Sequence, residues 1–134
     1  MIKLLYIFSL IGLFGINDHK VYTRNFHQNG VLKAEGWLLN NQKDGYWFFY
    51  NEIGTKIEEG HYLKNKKTKW WISYNANSEI LKKSEYKNDF LNGYCIIYVA
   101  GNPIRGEKFA NGVKIKQWNS LAEFKNDNFT AFLD

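Results

Sequence analysis

The chain has 134 residues, a formal charge of +5 and one cysteine, Cys95. That length can build one domain with its own core, and a lone cysteine excludes a disulfide-stapled framework. Aromatic residues make up 18% of the chain against a single proline, Pro103, which excludes a disordered polymer and favours pleated strands joined at Gly, Asn and Asp.

Met1 to Lys3 is a short basic start, and Leu4 to Ile16 is almost wholly apolar. That run is too short for an ordinary membrane-spanning helix and has the length of a secretory hydrophobic region. Residues 1–19 are read either as a signal peptide or as an N-terminal cap. The first reading makes the mature chain exported, periplasmic or extracellular. The second keeps it cytoplasmic, and an uncleaved anchor is the third alternative.

From residue 20 to 134 the sequence repeats itself. A turn followed by an aromatic strand occurs at Asp44 to Tyr50, Thr68 to Tyr74 and Asn92 to Tyr98, each 24 residues after the last. Tyr46, Trp70 and Tyr94 are thus equivalent, as are Tyr50, Tyr74 and Tyr98. The return strands align on Glu35-Gly36, Glu59-Gly60, Ser84-Glu85 and Gly106-Glu107. Trp118 falls 23 residues after Cys95, in the position of Trp47 and Trp71. The units run over about 22–45, 46–69, 70–93 and 94–118, with a C-terminal cap over 119–134.

Each unit reads as a hairpin. Asp44-Gly45 and Asn92-Gly93 carry tight-turn signals, as do Asn29-Gly30 and Asn111-Gly112, because Gly and Asn accept positive φ cheaply. Tyr46, Phe48 and Tyr50 alternate onto one face, while Trp47 and Phe49 point to the other. The expected core is the stacked column Tyr46, Trp70, Tyr94. Cys95, in an apolar run, reads as a small buried hydrophobe. Ser120 with Glu123 forms a capping box, which predicts a helix from Leu121 to Asn126 that closes the last repeat. The fold class is all-β: a single curled antiparallel meander of successive hairpins with a short C-terminal helix.

The residues that carry a family resemblance are Gly45, Trp47 and Tyr50, then Gly54, Glu59, Gly60 and Tyr62, then Trp71 and Tyr74. Weaker copies are Glu85, Tyr86, Gly93 and Tyr98, followed by Gly106, Phe109 and Trp118. This pattern resembles the MORN repeat family, closest to the bacterial variant-MORN proteins labelled as antitoxins, over about 100 of the 134 residues. Lys69 and Ser84 stand where the pattern has Gly, and Cys95 replaces the Trp. The resemblance implies a curled sheet of hairpins used for protein–protein contact, sometimes for phospholipid association, without catalysis by the repeats.

No catalytic, cofactor or metal group stands out. His19, His27 and His61 lack metal-ligand spacing, and the carboxylates form no acid–base pair. The one candidate surface is a basic patch of Lys64, Lys66, Lys67 and Lys69, which also reads as a solvated hairpin turn. The expectation is a non-enzymatic repeat scaffold or binding module that contacts another protein. The alternatives are a protein associated with an anionic membrane surface, or the antitoxin of a toxin–antitoxin pair. Nucleic acid is the weaker match to the aromatic and lysine residues, because the repeat assigns those aromatics to a core.

Overall fold

The computed structural model describes residues 18–128. Nine strands are formed: β1 (Lys20–Phe26), β2 (Leu32–Leu39), β3 (Gln42–Tyr50), β4 (Lys56–Leu63), β5 (Lys66–Tyr74), β6 (Ile80–Lys87), β7 (Phe90–Val99), β8 (Asn102–Ala110) and β9 (Val113–Trp118). They make one antiparallel sheet in sequence order, and helix α1 (Leu121–Asp127) follows. The expected all-β meander of hairpins with a short C-terminal helix is what forms. Most of the segment read as a signal peptide or cap, and Phe129 onward, lie outside the described residues.

Two kinds of connection alternate through the first seven strands. Asn40-Asn41, Lys64-Asn65 and Asn88-Asp89 are two-residue turns in which both residues have positive φ, between 49° and 70°. That geometry matches the right-handed strand twist, which is why Asn dominates it. Ala100-Gly101 and Asn111-Gly112 repeat it at the C-terminal end. The other connections are five-residue loops over 27–31, 51–55 and 75–79. Asn51 and Asn75 shape two of them, each side-chain oxygen accepting two backbone N–H bonds from residues two and four ahead. Hairpin tips also latch onto the preceding hairpin. Lys43 N–H donates to Asn65 Oδ1 at 2.6 Å, and Lys67 N–H donates to Asp89 Oδ1 at 2.7 Å.

Asp44-Gly45 and Asn92-Gly93 are not turns, which corrects the sequence expectation. Both lie inside strands, at bulges where two extra residues interrupt the ladder. Gly45 (φ 83°), Lys69 (φ 57°) and Gly93 (φ 118°) are the left-handed residues of three successive bulges. A positive-φ signal serves a bulge as well as a hairpin, so the dipeptide alone did not locate the turn. Asn29-Gly30 and Asn111-Gly112 do lie in connections, as expected.

Directly opposed residues in antiparallel strands share a face, so the pairing defines rows. One row is Gly36, Trp47, Gly60, Trp71, Ser84, Cys95, Glu107 and Gln117. The adjacent row, on the opposite face, is Glu35, Phe48, Glu59, Ile72, Lys83, Ile96, Gly106 and Trp118. The first face is termed the tryptophan face and the second the tyrosine face.

The core lies on the tryptophan face. Trp47, Trp71 and Cys95 are buried there, whereas Trp70 of the expected Tyr46–Trp70–Tyr94 column is exposed on the other side. The reason is steric. Each buried indole lies flat on a glycine of the neighbouring strand: a Cβ on Gly36 would stand 2.4 Å from Trp47, and one on Gly60 2.3 Å from Trp71. Trp47 Nε1 donates to the Trp37 carbonyl at 2.9 Å and Trp71 Nε1 to the His61 carbonyl at 3.1 Å. Burying an indole removes ~150–250 Å² from water, worth roughly 4–6 kcal/mol at about 25 cal/mol per Å² before ordering costs.

Trp118 does not continue this column. The β8–β9 ladder carries one extra residue where earlier bulges carry two, so Gln117 takes the place of Trp71 and Cys95. A one-residue slip turns a side chain to the other face. Trp118 is therefore buried on the tyrosine face, against Tyr94 and Phe124 of α1, with Nε1 donating to Asp127 at 2.7 Å. The helix is held by the predicted cap: Ser120 Oγ accepts from Glu123 N–H, and Glu123 accepts from Asn119 N–H.

Candidate binding surface

The four lysines proposed as a basic patch are dispersed by the hairpin. Lys64 sits in the two-residue turn, Lys66 opens β5 and Lys69 occupies the left-handed bulge, all three exposed. Lys67 instead turns onto the tryptophan face. Its ammonium lies 2.6 Å from Glu58 and 3.9 Å from the centre of the Trp71 ring. Lys43 occupies the same place one repeat earlier, 5.0 Å from the Trp47 ring. In two successive repeats a lysine and a tryptophan thus form one packing unit, with the ammonium over the ring.

The tyrosine face is built differently. Its polar groups are paired with one another, within a unit and between neighbouring units. Tyr50 Oη donates to Glu35 at 3.0 Å, and Arg24 Nε lies 3.1 Å from the same carboxylate. Tyr74 Oη donates to Glu59 at 2.6 Å and Lys56 Nζ donates at 2.7 Å. Burial opposes ionisation of Glu59, but the bonds from Lys56 and Tyr74 outweigh it and hold its pKa below the ordinary carboxylate value. Burial and then the Glu59 bond push the Tyr74 hydroxyl well above its usual pKa. In the third repeat Lys83 replaces the carboxylate and lies over Tyr98 instead.

Beside that paired layer runs a row of rings: Tyr22, Trp37, Tyr46, His61 and Trp70, one on each of β1 to β5. Tyr22 meets Trp37 edge-on at 5.2 Å, and Tyr46 meets His61 edge-on at 4.7 Å. Tyr22, Trp37 and Trp70 remain 41%, 40% and 39% exposed. Five strands at ~4.8 Å spacing make the row about 19 Å long. Burial and the Lys69 charge lower the His61 pKa, and its Nδ1 is buried without a hydrogen-bond partner among the described residues. Over β7 to β9 the same face is covered: Phe124 packs on Tyr94, the counterpart of Tyr46 and Trp70, at 5.6 Å. Among the described residues nothing comparable covers β1 to β5.

Sequence reasoning missed this row because it assigned Tyr46 and Trp70 to the core. The signal was present in the glycines. Gly36 and Gly60 each oppose the Trp that follows the ring-row residue, so they mark which aromatic lies flat and buried.

Among the described residues no cluster of His, Cys, Asp and Glu has the arrangement to hold a metal ion, and no helix is long and apolar enough to cross a membrane. Neither a protein-family model nor a curated protein matches the chain. Among solved structures, the fold is similar to part of one described as the crystal structure of a GtfA/B complex bound to UDP and GlcNAc, with a TM-score of 0.52 and 10% sequence identity. That similarity covers 83% of this chain and 26% of the other, so the chain spans about a quarter of that protein's length and shares its fold there.

Proposed function

We propose that this protein is a non-enzymatic repeat scaffold that binds another protein through the N-terminal half of its tyrosine face. One observation carries the reading. Rings from five consecutive strands form a half-exposed row there, while the equivalent surface at the C-terminal end is covered by α1. A contiguous exposed aromatic surface marks an interaction site, and Trp and Tyr supply much of the energy at protein interfaces. The carboxylates nearest the row support binding over catalysis, since Glu35 and Glu59 are each engaged by a cation and a tyrosine. The 24-residue recurrence of the Lys, Gly and Trp unit also supports membership of the variant-MORN group that the sequence resembles.

The test is site-specific photo-crosslinking in the native host, with a photoreactive phenylalanine at Trp37, at Trp70 and at the exposed Gln117 on the opposite face. A discrete adduct of one protein from positions 37 and 70, absent from position 117, is the expected result. Equal adducts from all three positions, or none, would refute the reading.

A further inference from the structure

The third repeat lacks its buried ring, and we infer that the resulting cleft on the tryptophan face is a binding site for a planar aromatic group that donates a hydrogen bond. This inference rests on the face opposite the aromatic row and stands independently of the proposed function. In the first two units three positions act together: Lys43, Gly36 and Trp47, then Lys67, Gly60 and Trp71. Their counterparts in the third unit are Leu91, Ser84 and Cys95, so the ring and both partners change at once. Cys95 and Ser84 meet at 3.2 Å and form a small floor.

Of the two rings that flank Trp71, the counterpart of Phe49 is Ser73, which widens the space, while the counterpart of Tyr62 is still a ring. Tyr86 stands where Tyr62 packs edge-on against Trp71 at 5.0 Å. A cleft of about 60 Å³ opens above Ser84, lined by Tyr86, Trp71, Ser73, Lys82 and Glu58. Its place is where the repeat elsewhere lays an indole. The repeat also assigns the acceptor: Trp47 and Trp71 donate to the carbonyls of Trp37 and His61, and the residue at the same place one repeat on is Glu85. A cavity of about 150 Å³ is enough to hold benzene, so this smaller, open cleft seats the edge of one ring and leaves the rest against Tyr86 and Trp71. The group that fits is an indole or a comparable ring with an N–H or O–H on its edge, brought by a partner polypeptide or by a free small molecule.

The experiment is titration of the isotope-labelled full chain with indole, 1-methylindole and N-acetyltryptophanamide, followed by amide chemical shifts. Saturable shifts at Ser73, Ser84, Glu85 and Tyr86 are expected with indole, and roughly fivefold weaker binding with 1-methylindole for loss of one hydrogen bond. Equal binding of the capped amide identifies a polypeptide side chain as the source, whereas exclusion of the amide identifies a free molecule. The double variant Ser84→Gly with Cys95→Trp rebuilds the repeat and should abolish the shifts while raising the Tm. Tyr86→Leu removes one wall without adding volume and should weaken binding if the double variant does not fold. Absence of shifts with indole, shifts confined to Trp37 and Trp70, or binding unchanged in these variants would overturn the inference.

Discussion

Replacing Gly60 with alanine tests the packing rule that organises the sheet. Gly60 has no left-handed φ, so its requirement is purely steric. Its new Cβ would stand 2.3 Å from Trp71 Cδ2, and ordinary contact begins near 3.4 Å, so the indole must lift by about 1 Å. That movement takes Nε1 away from the His61 carbonyl, now 3.1 Å distant, and disturbs the packing against Phe49 and Tyr62. Overpacking costs ~1–3 kcal/mol and the lost bond ~0.5–1.5 kcal/mol, so a loss of roughly 2–4 kcal/mol is expected in urea unfolding. Trp71→Ala alone should cost about 3–5 kcal/mol. With the ring gone there is nothing for the Cβ to strike, so Gly60→Ala should add almost nothing in that background. Gly30→Ala is the control. Gly30 has φ +84° and open space around it, so alanine there should cost ~1–2 kcal/mol from backbone strain, unchanged by Trp71→Ala. A Gly60→Ala protein within about 0.5 kcal/mol of wild type, or strict additivity with Trp71→Ala, would refute the account.

Other predictions follow from the same geometry. Tyr74→Phe leaves the nearly buried Glu59 with one partner fewer, and should cost about 1–3 kcal/mol and raise the Glu59 pKa in an NMR titration. Stability should decline in two stages on acidification. Burial and the Lys69 charge hold the folded His61 pKa below the ordinary imidazole value of about 6.5, so the unfolded chain takes up that proton first and stability falls as pH drops below about 6.5. Glu59 and Glu35 have lowered folded pKa values, so their contribution is complete above the unfolded carboxylate pKa, about 4.3, and is lost as pH falls through the folded values. Urea midpoints from pH 7 to 3 read both stages, and a first stage that survives His61→Gln would contradict the assignment. Lys67→Ala should cost about 1–2 kcal/mol through its ion pair and ring contact, whereas Lys66→Ala should stay within ~0.5 kcal/mol; equal losses would restore the single basic patch. Ser120→Ala should cost ~0.5–2 kcal/mol at the helix cap and increase amide exchange of α1, and unchanged exchange would show that Phe124 alone holds the helix.

Much of the architecture was legible because it is local. Strand alternation, a 24-residue period and the Ser120 to Glu123 cap each depend on residues close in sequence, and the sheet, its repeat and the helix follow them. The candidate surface was less legible. Lys64, Lys66, Lys67 and Lys69 look alike in a row of letters, yet a turn, a bulge and a strand send them in different directions. Trp70 and Trp71 are adjacent and chemically identical, and one is exposed while its neighbour is buried.

By itself the sequence determined the meander, since each hairpin needs only its own alternation and its own turn residues. It also marked the buried indoles, through the glycines on which they lie. Only the tertiary structure decided which face each ring takes. A strand has a period of two, so every bulge and every connection contributes to parity, and an error of one residue inverts the result. Trp118 shows the consequence. Its spacing from Cys95 placed it in the tryptophan column, but the shorter bulge on β9 turned it to the opposite face, where it anchors α1 beside Tyr94.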